Sequence, residues 1–178
     1  QKGIENYDKA IRSLEKCQLL DPNNAVVYFE LGKNYWAQKE YNSAHAAFEK
    51  ATQLDPMNRW FWVGLYDVFY ETKAYEEAIP VVKQLIEFNL DYQEDLVSLY
   101  MNTQQFDKAL VLINELNESK GNSELRDKYR AQILGQGKYQ SAEIDRLLAE
   151  IKSKPQEESN YLSLIFLYSD QNQDEKAL

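Results

Sequence analysis

The chain has 178 residues, enough for one large domain or two small ones, and 44% of them are hydrophobic, enough for a continuous core. Its net charge of −9 comes without the clustered Lys and Arg that a phosphate backbone requires, which disfavours nucleic acid and anionic lipid headgroups as partners. Six glycines and four prolines point to long helices rather than many tight turns.

Taken in order, residues 1–24 read as the tail of one helix (Gln1–Gly3) followed by a second from about Asn6 to Leu19. Asp21-Pro22 closes it, and Asn23 or Asn24 can cap the next helix. Ala25–Pro56 is a helix, a short polar turn and a second helix, ended by Asp-Pro. The next stretch, 58–90, opens on Arg-Trp-Phe-Trp and carries Pro80 inside its second helix, predicting a bend there or a helix start shifted toward it. The segment 91–122 comes three residues early, with the shortage around Phe88–Tyr92, and Ser119-Lys120-Gly121-Asn122 marks a break. In 123–155, Arg126 and Arg130 stand where an aromatic and a small residue are expected, and Arg146 replaces a core apolar residue. Leu125, Tyr129, Ile133 and Leu147 still give a stripe, with a slight rotation of the helix. Residues 156–178 begin with an apolar helix over about Glu157–Asp170, and the chain ends just inside a further one.

These segments are copies of one pattern. An aromatic is followed three residues later by alanine in Tyr7/Ala10, Tyr41/Ala44, Tyr75/Ala78, Phe106/Ala109 and Tyr139/Ala142, and Asp174/Ala177 continues the series. Successive alanines are 34, 34, 31, 33 and 35 residues apart, the signature of a repeat architecture. An alanine lets a neighbouring backbone approach, while the large residue one turn away fills the flank. Leu31/Tyr35, Leu65/Phe69, Leu96/Tyr100, Tyr129/Ile133 and Leu164/Tyr168 give each first helix an i, i+4 apolar stripe. One hairpin cannot bury that stripe alone, whereas stacked hairpins can.

In Ala25–Pro56, Tyr28, Leu31, Gly32, Tyr35, Tyr41, Ala44, Phe48, Ala51 and Pro56 fall on nine signature positions, and the unit resembles the tetratricopeptide repeat. The resemblance covers nearly the whole chain and implies an all-α, right-handed α-solenoid of antiparallel helix hairpins. The array is expected to be single over 1–178, with repeats at 1–24 (partial), 25–57, 58–90, 91–122, 123–155 and 156–178 (partial). Both ends fall mid-repeat without a polar capping helix, which predicts a fragment of a longer array.

Little in the chain suggests catalysis. It has one histidine and one cysteine, too few for a Cys/His zinc cage, so no metal site is expected. His45 reads as a partly exposed helix residue. Cys17 matches Ala51 one repeat later and reads as a buried, inert thiol. Pairs such as Glu76-Glu77, Glu94-Asp95 and Glu157-Glu158 read as solvated helix faces rather than acid–base machinery. Gly135 and Gly137 flank a turn, with no phosphate-loop Lys-Ser/Thr after them. No cofactor is expected, and the chain reads as non-enzymatic. One cysteine forms no internal disulfide, and no apolar run reaches the ~20 residues of a membrane span or forms a secretory tract. Because the chain opens on Gln1 within a partial repeat, a removed leader or anchor stays compatible with it. The location stays open between cytoplasm and bacterial cell envelope or periplasm; the Tyr- and Asn-rich style is similar to bacterial envelope-associated repeat proteins.

The resemblance implies that first helices line an inner groove that binds an extended peptide or a helix. Its groove positions map to Phe29, Lys33 and Trp36, then to Trp60, Val63, Asp67 and Tyr70, then to Glu94, Ser98 and Met101, and later to Asp127 and Phe166. Phe29, Trp36, Trp60 and Tyr70 form the sharpest cluster, being large aromatics off the core stripe. Each could supply roughly 1.5–3 kcal/mol when buried by a partner. Packing between adjacent first helices is the rival reading, balanced for Trp36 and Trp60 and favoured for Phe29, while Trp62 reads as core. The Lys/Asn/Arg set that grips a C-terminal carboxylate in some members is absent, since the matching positions hold Phe29, Lys33, Gly64, Asp91 and Asp95. The aromatic and acidic mixture suits a ligand with apolar anchors and some positive charge. The expected function is a protein–protein interaction scaffold. The alternatives are a sensory or regulatory segment of a larger signalling enzyme, and an array that self-associates end to end.

Overall fold

Three polar residues set the entry of three helices by the same device. The Asn24 carboxamide accepts from the Val26 N–H at 3.2 Å, that of Asn58 from Trp60 at 3.2 Å, and the Ser123 hydroxyl from Arg126 at 3.3 Å. Each satisfies one of the orphan donors of a first helical turn. A computed structural model describes residues 2–88 and 90–170. The fold is all-α, with ten helices and no strand among the described residues. The helices are α1 (Lys2–Leu20), α2 (Ala25–Ala37), α3 (Tyr41–Leu54), α4 (Arg59–Glu71), α5 (Tyr75–Ile86), α6 (Gln93–Asn102), α7 (Phe106–Lys120), α8 (Glu124–Leu134), α9 (Gly137–Ser153) and α10 (Glu158–Asp170). The chain clusters into two compact units, residues 1–109 and residues 110–178, with the boundary inside α7.

In the N-terminal unit, each helix from α1 to α5 packs on the next, giving the solenoid-type series of antiparallel hairpins. The hairpin turns repeat one motif. Lys39, Lys73 and Gln104 take φ of 62°, 58° and 57°. The residue after each donates back five positions: Glu40 to Tyr35 O at 2.9 Å, Ala74 to Phe69 O at 2.8 Å, and Gln105 to Tyr100 O at 2.8 Å. With the accompanying bonds Lys39 to Trp36 O, Lys73 to Tyr70 O and Gln104 to Met101 O, this is a Schellman ending in a left-handed residue. The core follows the repeat positions. Ala44, Ala51, Ala78 and Ala109 are fully buried. Ala51 packs with Tyr28 and Phe61, so one second helix is sandwiched by two first helices.

Several sequence expectations change. The break after Gly3 does not form, and α1 is continuous from Lys2 to Leu20; a lone glycine with no proline nearby does not interrupt a helix. Cys17 is exposed, not buried. Ala51 has a first helix on each side, whereas α1 has α2 on one side and no described helix on the other. The start of α5 is not shifted toward Pro80. The helix begins at Tyr75 and runs through Pro80 to Ile86. Pro80 lies on the exposed side, so the carbonyl it fails to bond can be solvated, while Ala78, Ile79, Val81, Val82 and Leu85 hold the other face. The residue shortage before the fourth repeat appears as a 3-10 turn at Leu90–Tyr92 and a short α6. The break after the fourth repeat starts at Gly121 (φ 78°), beyond Ser119 and Lys120, which still belong to α7. Asp174 and Ala177, and the helix expected around them, lie outside the described residues.

A recurring bond fixes the inter-repeat loop. The Tyr28 hydroxyl donates to Pro22 O at 3.0 Å, the Trp62 indole to Pro56 O at 2.8 Å, and the Tyr161 hydroxyl to Pro155 O at 3.2 Å. Arg126 holds the matching position in the fifth repeat, and its guanidinium donates to Gly121 O at 2.6 Å. The arginine therefore replaces the aromatic by doing the same job.

In the C-terminal unit, α9 packs on α8 and on α10. Here the repeat pattern shifts. Ala142 and Leu125 are exposed, contrary to their expected core roles, while Arg126, Ile133, Leu134, Tyr139, Glu143, Ile144 and Leu147 are buried. The buried face of α9 has moved by about one residue, the ~100° that brings the neighbouring position inward. On α9 that position is Glu143, with 4% of its side chain exposed. Arg146 grips it with two parallel bonds, Nε to Oε2 at 3.0 Å and Nη2 to Oε1 at 2.8 Å, and Arg130 pairs with it from α8. Arg146 also reaches Glu150. Burial pushes the Glu143 carboxyl up, but the two guanidiniums outweigh it and hold it below the usual glutamate value.

A group depressed in the folded state stabilises above its unfolded value and loses that contribution as pH falls through the folded one. The C-terminal unit is therefore expected to keep this stabilisation above the ordinary glutamate value of 4.5 and to lose it below. Glu143→Gln, which leaves the partly buried Arg130 guanidinium without its carboxylate and Arg146 with Glu150 alone, is expected to cost about 3–5 kcal/mol. Hydrogen exchange of α8 and α9 amides from neutral to acid pH checks both; unchanged protection in the variant would refute the buried-pair account.

Candidate functional site

The candidate site lies in the N-terminal unit, where α2 and α4 run over the ring of Phe48 from α3. Gly32 and Gly64 make this possible, because a Cβ built on either would stand 2.6 Å from that ring. Phe48 is buried between the two first helices and forms the floor of a cavity of about 380 Å3. Phe29, Lys33, Trp36 and Ala37 line it from α2, and Trp60, Val63, Gly64 and Asp67 from α4. Phe29 is half-buried, stacked at 5.7 Å on Phe48 and 5.0 Å on Phe61, which is the packing role favoured for it. Trp36 and Trp60 are 42% and 57% exposed, so adjacent first helices do not bury them against each other.

The charges are unevenly committed. Lys33 is bound to Glu30 at 2.7 Å and lies 5.1 Å from the Phe29 ring centre. Arg59 stacks on the face of Trp60 at 4.6 Å, a cation–π contact that steadies the indole at the rim. Asp67 sits against the apolar wall, and desolvation pushes its carboxyl above the usual aspartate value. A carboxylate in that state gains from a cation that displaces the remaining water.

Six of the sequence-derived candidates thus meet in one cavity: Phe29, Lys33, Trp36, Trp60, Val63 and Asp67. Tyr70 does not line it. It is exposed further along α4, stacked on Tyr66 at 5.8 Å and Tyr75 at 6.1 Å. Glu94 and Ser98 are half-buried on α6, and Met101 is buried. Met101 is therefore corrected from a groove residue to a core residue: Val97, Tyr100 and Met101 all turn inward on this short helix. Burial, more than the hydrogen bond to Asp95, pushes the Tyr66 hydroxyl up, and that 2.8 Å bond ties α4 to α6. Asp127 and Phe166 line a separate cavity in the C-terminal unit. The sequence reading missed Phe48 and Gly64 as groove residues. A glycine at Gly64, facing the glycine of the preceding first helix, was the available signal. His45 is half-buried and stacks on Phe69 at 5.0 Å. Among the described residues, no group of three His, Cys, Asp or Glu side chains could hold a metal ion, and no helix is long and apolar enough to cross a membrane.

Models of the tetratricopeptide repeat match residues 1–24 and 25–58. Residues 1–58 carry tetratricopeptide repeats. Stress-induced-phosphoprotein 1 of Caenorhabditis elegans is 28% identical over 71 residues, 40% of this chain, and this match spans 22% of that protein. Among solved structures, YrrB, described as a tetratricopeptide-repeat protein with an unusual peptide-binding site, matches with a TM-score of 0.55 at 18% identity, over 94% of this chain and 88% of its own. MamA matches with a TM-score of 0.54 at 20% identity over 99% and 85%. A Naa15/Naa10 complex bound to HypK matches with a TM-score of 0.70 at 13% identity, over 97% of this chain and 28% of that one. At these identities the structural matches establish the tetratricopeptide-repeat fold.

Adding a methyl group at Gly32 or Gly64 must displace a buried ring, so Gly32→Ala and Gly64→Ala are each expected to cost about 1–3 kcal/mol. Urea unfolding followed by the three tryptophans, all in this unit, measures it; a variant as stable as the parent would show that Phe48 has room to move.

Proposed function

We propose that this tetratricopeptide-repeat chain is a non-enzymatic scaffold that binds a peptide or helical segment of a protein partner in the groove between α2 and α4. The convergence of Trp36, Trp60 and Asp67 around one cavity carries this reading. Half-exposed indoles on a rigid helix face have lost most of their conformational freedom before a partner arrives, so burying them costs little further ordering. Asp67 is the acid of the cavity wall, and Lys33 is already held by Glu30. The occupant is therefore a segment with apolar anchors and at least one Lys or Arg. The peptide-binding site named for YrrB and the complex formed around Naa15/Naa10 support a binding role by analogy. A non-catalytic role is supported by the single histidine, which is stacked on Phe69 away from this groove.

The reading is tested with capped synthetic peptides alternating Trp or Leu with Arg, against matched peptides carrying Glu for Arg. The basic series is expected to bind the whole chain with quenching of tryptophan fluorescence and the acidic series to bind weakly. Trp36→Ala combined with Trp60→Ala should weaken binding at least about a hundredfold, two lost anchors of roughly 1.5 kcal/mol each. Asp67→Asn should remove the preference for Arg over Glu while leaving the fold intact. Equal binding of both series by the parent chain, or undiminished binding by the double variant, would defeat the proposal.

A further inference from the structure

The C-terminal unit holds a polar cavity of about 190 Å3, lined from α7, the loop at Asn122, α8, α9 and α10. Clefts for drug-sized ligands begin at ~300 Å3, so the occupant of this one is about the size of a single ring. Two guanidiniums in its wall are already engaged, Arg130 with Glu143, and Arg146 with Glu143 and Glu150. An anion would have to displace a carboxylate to reach either of them. The carboxamides of Asn114, Asn117, Asn122 and Asn160 and the hydroxyls of Ser159 and Ser163 also line the cavity, and no hydrogen bond among the described residues engages these side chains. The Asn117 Oδ1 is buried and unsatisfied there, so it gains from a ligand donor. Glu118 adds an exposed carboxylate, which only accepts.

So dense a set of neutral donors and acceptors calls for a ligand equally dense in both. A hydroxyl donates and accepts at one atom, and a pyranose carries several around one small ring. Its hydroxyls lie at the rim, while its C–H groups form apolar faces. The neighbouring cavity supplies the matching surface: it shares Asn122, Arg130 and Ser163 with the polar one and is walled by Leu134, Leu167 and Phe166. Ser163 and Phe166 are three residues apart, on one face of α10. Phe166 is 74% exposed, an open ring beside the polar groups. Asp127 lines the same cavity as a second exposed carboxylate. Both acids suit such a ligand, because a hydroxyl donating to a carboxylate makes a charge-assisted bond.

We infer that the two cavities together form a carbohydrate site, which takes one hexopyranose unit with its hydroxyl rim on the carboxamides and Glu118 and a C–H face on Phe166. A peptide unit carries one donor and one acceptor, and would satisfy fewer of these groups in the same volume. The site and its ligand differ from those of the groove between α2 and α4, on which this inference does not rest, and either can fail without the other.

The test is saturation-transfer NMR of the whole chain with the methyl pyranosides of glucose, galactose, mannose and N-acetylglucosamine at millimolar concentration. At least one is expected to bind saturably, with the strongest transfer to the C–H protons of one ring face. Phe166→Ala, which removes an exposed ring, should weaken binding roughly tenfold. Asn160→Ala, which removes one hydrogen-bonding partner, should weaken it roughly threefold to tenfold. Trp36→Ala combined with Trp60→Ala should leave it unchanged. Absence of transfer to all four sugars would overturn the inference, as would undiminished binding by the Phe166 and Asn160 variants. Loss of binding in the tryptophan double variant would do so too, because the sugar would then lie in the other groove. Competition with the bound sugar separates the remaining ligand classes: displacement by acetyl-alanine methylamide or by methylammonium at lower concentration than by free sugar would make this a peptide or cation site instead.

Discussion

The structure depends on one packing constraint: each second helix must be covered on both sides by first helices. Ala44, Ala51 and Ala78 are fully buried because a backbone lies close on either flank. The Phe48 ring takes this to its limit, seated against a glycine of α2 and a glycine of α4. Where the described residues cover a helix on one side only, the rule does not act on them. Cys17 occupies the position of Ala51 and is exposed, although its chemistry suits a core as well as alanine does. Burial in such an array belongs to the neighbours as much as to the residue.

That dependence sets what could be read from the sequence. The spacing of Tyr41/Ala44, Tyr75/Ala78 and Phe106/Ala109 placed α3, α5 and α7 within a residue or two, because regular spacing reports a packing contact that must recur. The loop at Phe88–Tyr92 was legible as a deletion, but whether the chain would tighten into a 3-10 turn or shorten a helix depended on contacts that spacing does not encode. The groove was legible in its residue types and less so in its membership. Trp36, Trp60 and Asp67 could be placed by repeat position, whereas Met101 on the short α6 turned inward with Val97 and Tyr100. Phe48 was hidden as a groove residue because it also serves as core.

The C-terminal unit shows how far the pattern can be rewritten. Three arginines stand at positions that should have been aromatic, small or apolar. Arg126 keeps the loop bond that Tyr28, Trp62 and Tyr161 make, because a guanidinium reaches a carbonyl as well as a phenol or an indole does. Arg130 and Arg146 are accommodated by a rotation that buries Glu143 and exposes Ala142. The rotation follows from desolvation: two guanidiniums drawn toward a core need a carboxylate more than the hairpin needs an alanine. The substitution thus exchanges shape complementarity for charge pairing.

The cavities of the two units fall on matching repeat positions. Phe29, Lys33, Trp36 and Ala37 of α2 correspond to Asp127, Ala131, Leu134 and Gly135 of α8, and Gly64 and Asp67 of α4 to Ser163 and Phe166 of α10. Phe29 and Gly64 also serve the packing around Phe48, but core packing asks little of the other positions, so their chemistry can vary without loss of the fold. In one unit they carry indoles and a partly desolvated acid. In the other they carry an aspartate, aliphatic residues and a phenyl ring. Variation confined to positions that the core does not use is what a binding surface requires, since selectivity can then change while stability does not.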